Sequence, residues 1–188
     1  MAVRIEPAQF PHDAEAIYAL FAGYAASLGI DLAFQSFQQE LDSLPGKYCT
    51  SEGGALLIAR VHQTSPNDEG PDSDSSTRPG ASSYPSPTCP AVGCVALRRS
   101  SDGWGEMKRL YVVQEARGLR LGDRLVEAIL AQAKTLGYRG IRLDTLPEML
   151  AAQRLYRRYG FVEIEPYYDT PIEKTLFMGC DFLDGGIV

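Results

Sequence analysis

Residues 117–130 read RGLRLGDRLVEAIL, a glycine-containing turn that opens an amphipathic run and carries Arg117, Arg120 and Arg124. The first turn of a helix leaves backbone N–H groups without partners. It also carries the positive end of the helix dipole, so it attracts an anion. Gly118 and Gly122 lack the Cβ atoms that would hold a bulky phosphate away from the backbone. By these properties the stretch reads as a phosphate-binding turn. No Gly-Lys-Ser/Thr follows the glycines, so it is not a P-loop, and the G-x-G-x-x-G of dinucleotide folds is absent. An ordinary strand-to-helix turn with basic residues would look the same from this segment alone.

The elements that must position this turn follow from hydrophobic spacing. Val3–Glu6 is a short strand candidate. From Pro11 to about Leu28, Ala14, Ile17, Tyr18, Phe21, Tyr24, Ala25 and Leu28 recur at helical spacing. Phe34, Phe37, Leu41 and Leu44 mark a second helix, stopped by Pro45-Gly46. Ala55–Val61 and Val92–Leu97 are continuous apolar runs, read as buried strands. Gly105–Val113 is a third strand of this block, and its alternation breaks at Lys108-Arg109, which suggests a bulge. The stripe from Leu121 to Leu136 is a strong helix with Gly137 as its C-cap. Ile141–Thr145 is a strand. Pro147 opens a helix bearing Met149, Ala152, Leu155, Tyr156 and Tyr159 on one side, ended by Gly160. Strands near Phe161–Ile164 and Glu173–Phe182 close the chain. The order predicts an α/β (α+β) domain: a mostly antiparallel central sheet with flanking helices and one βαβ crossover.

The 188 residues suit a single domain over 1–188. Residues 63–91 differ from the rest, being rich in Ser, Pro, Asp and Gly and nearly free of large aliphatics. Their composition predicts a disordered insertion between two adjacent strands. With Asp68, Glu69, Asp72 and Asp74 against Arg78, the segment supplies −3 of the total charge of −6. That balance argues against nucleic-acid or membrane-surface partners, since both are anionic. The remaining mildly acidic part slightly favours a cationic small molecule. No run approaches the ~18 apolar residues of a membrane span. The N-terminus lacks the features of a signal peptide. Cys49, Cys89, Cys94 and Cys180 are scattered without a C-x-x-C, as expected of reduced thiols in a cytoplasmic protein with no metal site. His12 and His62 have no partner motif.

The turn at 117–122 resembles motif A of the GNAT superfamily of N-acetyltransferases, [QR]-x-x-G-x-[GA]. Arg117 matches its first position and Gly122 its last, and Arg120 stands where a glycine is usual. Other landmarks agree in order and spacing. EMKRLYV (106–112) resembles the family's fourth strand. LDTLPEMLAAQRLYRRYGF (143–161) resembles its fifth strand and following helix, with Met149 in place of a frequent Asn. YYDTPIEKTLFM (167–178) resembles the closing segment of a subgroup of small acetyltransferases.

The resemblance implies an acetyl-coenzyme A-dependent N-acetyltransferase, as monomer or homodimer, whose acceptor could be a small amine, an amino acid, an antibiotic or a protein N-terminus; the charge balance favours the amine of a small molecule. A non-catalytic acyl-coenzyme A sensor of the same fold is the alternative. The resemblance implies cofactor contacts at Leu110, Tyr111, Val112, Arg117, Gly118, Leu119, Arg120, Leu121, Gly122, Asp123 and Ala152, with the N–H near Leu110 facing the thioester carbonyl. Glu106, eleven residues before Arg117, stands at the family's general base, and Tyr156 at its general acid. Tyr24, Asp31, Phe34, Gln35, Tyr167 and Tyr168 are the substrate-side candidates.

Overall fold

The computed structural model describes residues 2–30, 36–62 and 89–182. Seven strands form one sheet: β1 (Ala2–Pro7), β2 (Ala55–His62), β3 (Ala91–Arg99), β4 (Trp104–Val112), β5 (Gly140–Thr145), β6 (Val162–Glu163) and β7 (Leu176–Asp181). The helices are α1 (Ala14–Leu28), α2 (Phe37–Asp42), α3 (Leu121–Thr135) and α4 (Leu150–Arg158). The spatial order is β1-β2-β3-β4-β5-β7-β6, and every neighbouring pair is antiparallel except β4–β5. That parallel pair is the crossover through α3 that the sequence predicts.

β2 and β3 read as unbroken apolar runs because both their faces are covered. On one face Leu57, Val95, Leu97 and Met107 pack with Leu125, Val126 and Ile129 of α3. On the other, Leu56, Ile58, Cys94 and Ala96 pack with Ile17, Leu20 and Phe21 of α1. Fully burying a side chain such as Phe21 or Ile129 stabilises the fold by about 1.5–3 kcal/mol.

Several boundaries differ from the sequence reading, each for a local reason. Residues 10–13 turn before α1 begins, and the Asp13 carboxylate receives the Gln9 N–H (2.7 Å) and pairs with Arg60. Tyr18 is exposed rather than part of the buried stripe. α3 is capped by Leu136, with Gly137 in the left-handed conformation just beyond (φ 79°). α4 starts at Leu150, not Pro147, because the Gln153 amide donates to the carbonyls of Leu146 and Pro147 and holds them in a turn. β7 starts at Leu176, not Glu173, because Thr170 and Thr175 side chains stabilise a turn around Ile172. The expected insertion falls at 63–88 outside the described residues. Ala91 already belongs to β3, so its far boundary lies before residue 91. Among the described residues no helix is long and apolar enough to cross a membrane, and no group of His, Cys, Asp or Glu could hold a metal ion.

Candidate active site

Pairing of β4 with β5 runs only from Trp104↔Gly140 to Glu106↔Arg142. Both strands continue, β4 to Val112 and β5 to Thr145, so the sheet opens between them. A bulge in β4 shapes this opening. From Cys94↔Tyr111 to Ala96↔Lys108 the register advances two residues on β3 and three on β4. The extra residue lies at Arg109, whose φ is 57°, a left-handed conformation that costs a non-glycine residue about 1 kcal/mol. The broken alternation at Lys108-Arg109 was the sequence trace of this bulge. As a result two consecutive side chains leave the strand on the α1–α2 face. Arg109 reaches Glu40 of α2, while Lys108 reaches Asp144 of β5.

The opening is lined by Tyr24, Lys108, Leu110, Asp144, Met149 and Tyr156, among others. It therefore unites three expected residues, Leu110, Tyr156 and, from α1, Tyr24. Tyr156 is 6% exposed and packs on Phe161 (ring centroids 5.7 Å). Burial pushes its phenol pKa far up, with Tyr24 and Asp144 adding to the rise. Asp144 is half-buried, and its desolvation by itself would raise its pKa. The charge and hydrogen bond of Lys108 (2.8 Å) outweigh that and hold the carboxyl below the ordinary value.

Glu106 sits at the apex, 3% exposed, on the α1–α2 face. Its Oε2 accepts from Arg98 Nε at 2.5 Å, and its Oε1 accepts from the Tyr167 hydroxyl at 3.3 Å. Lys108 Nζ lies 3.6 Å from Oε1 and so links Glu106 to Asp144. Glu106, Tyr167 and Tyr168 line one broad cavity of about 730 Å³, with Arg98, Arg142 and others. Tyr167, Tyr168 and Phe177 stack edge to face at 5.1–5.4 Å, which fixes the loop after β6 over this cavity. Among the substrate candidates, Tyr24, Tyr167 and Tyr168 thus border the site. Asp31, Phe34 and Gln35 lie outside the described residues.

The turn before α3 exposes Arg117, Gly118, Leu119 and Arg120. No side chain caps α3 among the described residues, so the N–H groups of Leu121, Gly122 and Asp123 keep their donors. Gly118 has φ 87° with open space beside it. Arg120 has φ 54° at the N-cap, so it keeps the backbone conformation that favours glycine. Three members of the turn act differently from the simplest expectation. The Leu121 side chain is buried in the core, leaving only its backbone to face a ligand. The Asp123 carboxylate is held by Arg158 (2.7 Å). A Cβ at Gly122 would meet Leu155 at 3.3 Å, so this glycine also allows α3 to approach α4. Arg124 turns away and donates to the Val3 carbonyl. Ala152 is half-buried against the α3-side core.

Sequence reasoning missed Arg98, Lys108, Arg142 and Asp144 as members of the site. A signal existed for two of them: in Ile141–Thr145 strict alternation puts Arg142 and Asp144 on one face and Ile141 and Leu143 on the other.

A model of the acetyltransferase (GNAT) domain matches residues 90–163, from β3 through β6. An uncharacterized N-acetyltransferase of Schizosaccharomyces pombe is 34% identical over 177 residues, covering 94% of this chain and 93% of that protein. Among solved structures, a GNAT-family acetyltransferase of Staphylococcus aureus superposes with a TM-score of 0.69 at 19% identity, over 96% of this chain and 99% of that one. A putative streptothricin acetyltransferase of Bacillus anthracis, solved with acetyl coenzyme A, gives a TM-score of 0.52 at 19% identity, over 72% of this chain and 66% of that one.

Proposed function

The chain belongs to the GNAT superfamily of N-acetyltransferases and is an acetyl-coenzyme A-dependent acyltransferase; we propose that its acceptor is the amine of a small molecule, acetylated by direct attack at the β4–β5 opening. The observation that carries this reading is the end of β4–β5 pairing at Glu106↔Arg142 while both strands run on.

The residues around the opening fit the cofactor. The uncapped first turn of α3, with Gly118 open beside it and Arg117 and Arg120 exposed, suits a pyrophosphate. The free edge of β4 over Leu110, Tyr111 and Val112, with Ala152 of α4, suits the pantetheine arm. Acetyl-coenzyme A, when bound, would supply the acetyl group as a thioester and leave as the coenzyme A thiol.

This chain's own groups then divide the work. An ammonium has no lone pair, so the acceptor must lose a proton before it attacks. Glu106 lies where the cavity meets the opening and takes that proton through water at its carboxylate. Arg98 and Tyr167 fix the orientation of that carboxylate. The left-handed Arg109 turns the next peptide, so Leu110 N–H is the donor for negative charge developing on the acyl oxygen. Tyr156 Oη keeps its proton at neutral pH and delivers it to the departing sulfur. Tyr24, Tyr167 and Tyr168 border the acceptor.

The test measures thiol release from acetyl-coenzyme A across a panel of amines, alongside thermal melts. A ligand that contacts only the folded state raises the melting temperature. Melts unmoved by acetyl-, propionyl- and free coenzyme A would remove this reading.

A further inference from the structure

The broad cavity carries a charge opposite to that of the whole chain. Its ionisable lining is Lys47, Arg98, Arg99 and Arg142 against Glu52 and Glu106, within a protein of net charge −6. Lys47 is paired with Glu40 and Arg98 with Glu106, while Arg142 is held in place by other groups. Arg142 Nε and Nη2 donate to the Ser100 hydroxyl, Nη2 also reaches Ser101 Oγ at 3.0 Å, and the guanidinium carbon sits 4.0 Å from the Tyr167 ring centroid. All of these partners are neutral. Neither Arg142 nor Arg99 makes an ion pair among the described residues. Among the described residues, Arg98 commits its Nε, to Glu106.

We infer that this cavity binds an amine that also bears a carboxylate, of the amino acid or short-peptide class, with its nitrogen toward Glu106 and its carboxylate against Arg142 and Arg99. The inference rests on the acyl-transfer reading above and names its acceptor class. A guanidinium fork matches a carboxylate in two parallel hydrogen bonds. Ser100 and Ser101 take the Nε and Nη2 donors of Arg142 and its guanidinium lies over the Tyr167 ring, so the side chain is fixed with Nη1 left to donate to the carboxylate, and the exposed Arg99 supplies the paired fork. An amine without an anionic group would instead enter a cavity of like charge. The volume of about 730 Å³ admits a dipeptide as well as a single amino acid. This local charge reverses the weak preference for a cationic molecule drawn from overall composition.

The experiment uses matched pairs: free amino acids and dipeptides against their C-terminal amides. Two quantities are read for each pair, stabilisation of the cofactor-free protein and kcat/KM by thiol release. At least one carboxylate member exceeds its amide about tenfold or more, the scale of a charged hydrogen bond, and added salt narrows the gap. Arg142→Gln shrinks that ratio. Arg99→Gln, an exposed change that removes no ion pair seen here, shrinks it in a protein of unchanged melting temperature. Amides that bind and react as well as the free carboxylates overturn the inference while acyl transfer stands. Absence of any coenzyme A effect would remove the acyl-transfer reading instead, and the cofactor-free binding data would still decide the subsite.

Discussion

Arg109 Nε and Nη2 donate to the two carboxylate oxygens of Glu40 at 2.8 and 3.0 Å, joining the bulge of β4 to α2 through two buried charges. Tyr48 donates to the same carboxylate at 2.8 Å, and Lys47 lies 3.3 Å from it. The Arg109 guanidinium is sandwiched near the Phe37 and Tyr24 rings, at 5.0 and 5.5 Å. The residue that bends β4 is therefore anchored beside the opening, which it lines together with Tyr24.

Glu40→Gln is expected to destabilise the protein by about 3 kcal/mol, because it leaves the buried Arg109 charge without its counter-ion. Burial would raise the Glu40 pKa, but the hydrogen bonds and charge of Arg109, then Lys47 and Tyr48, outweigh it and lower it to about 2. A carboxyl depressed in the folded state stabilises above its unfolded value, near 4.5, and loses that contribution as pH falls toward 2. Urea unfolding measured from pH 7 to pH 2 should show this acid loss in the parent and a flatter profile in the variant. Equal profiles would mean that the pair contributes nothing.

Arg120→Gly is expected to raise stability by about 0.5 kcal/mol. Relief of the left-handed backbone, about 1–2 kcal/mol, exceeds the extra chain entropy of glycine, about 0.5–1 kcal/mol. Coenzyme A affinity should fall severalfold at low salt as one exposed cation is lost beside the turn. Tighter binding by the variant would show that the Arg120 side chain obstructs the phosphate path.

Gly122 permits a test that separates packing from ligand approach. Gly122→Ala should cost less than about 1 kcal/mol, since the nearest atom, Leu155 Cδ2 at 3.3 Å, ends a flexible side chain. Gly122→Glu should abolish the thermal shift given by coenzyme A, because it sets a carboxylate at the anion-binding turn. A full shift in the Glu variant would move the pyrophosphate elsewhere.

Much of the fold was legible because its elements obey simple periods. β2 and β3 are apolar on both faces, α3 carries an unbroken stripe, and the turn before it holds its glycines at recognisable spacing. The chemistry at the β4–β5 opening was legible only in part. Glu106 and Tyr156 were singled out by their places along the chain, and they lie at the end of the β4–β5 pairing and in the lining of the opening. Arg98, Lys108, Arg142 and Asp144 were not, because each looks like an ordinary solvated strand residue until the sheet opens. Arg109 shows the difficulty: a one-residue bulge puts it on the same face as Lys108, where simple alternation would send it to the other. The Arg109–Glu40 pair is 69 residues apart in sequence, with nothing local to announce it.

Tyr156→Phe should separate chemistry from binding, and Tyr24→Phe is its natural control. Both phenols line the β4–β5 opening, so proximity alone does not choose between them. Their surroundings differ. Tyr156 is raised by burial and further by Tyr24 and Asp144, so its hydroxyl stays protonated at neutral pH and is available as a donor to the departing sulfur. Tyr24 is also raised by burial, but the charge and hydrogen bonding of Arg109 pull against that rise. Its ring is engaged with Arg109 and Tyr111. Removing the Tyr156 hydroxyl keeps the ring against Phe161 and should lower kcat by about 10²-fold, the scale of a general acid, with acetyl-coenzyme A affinity nearly unchanged. Tyr24→Phe should lower kcat by much less and act mainly on the acceptor KM. Steady-state kinetics with cofactor binding measured separately decides the matter. Equal losses of rate and cofactor affinity in the Tyr156 variant would make that residue structural, and a 10²-fold kcat loss confined to the Tyr24 variant would transfer the acid role to α1.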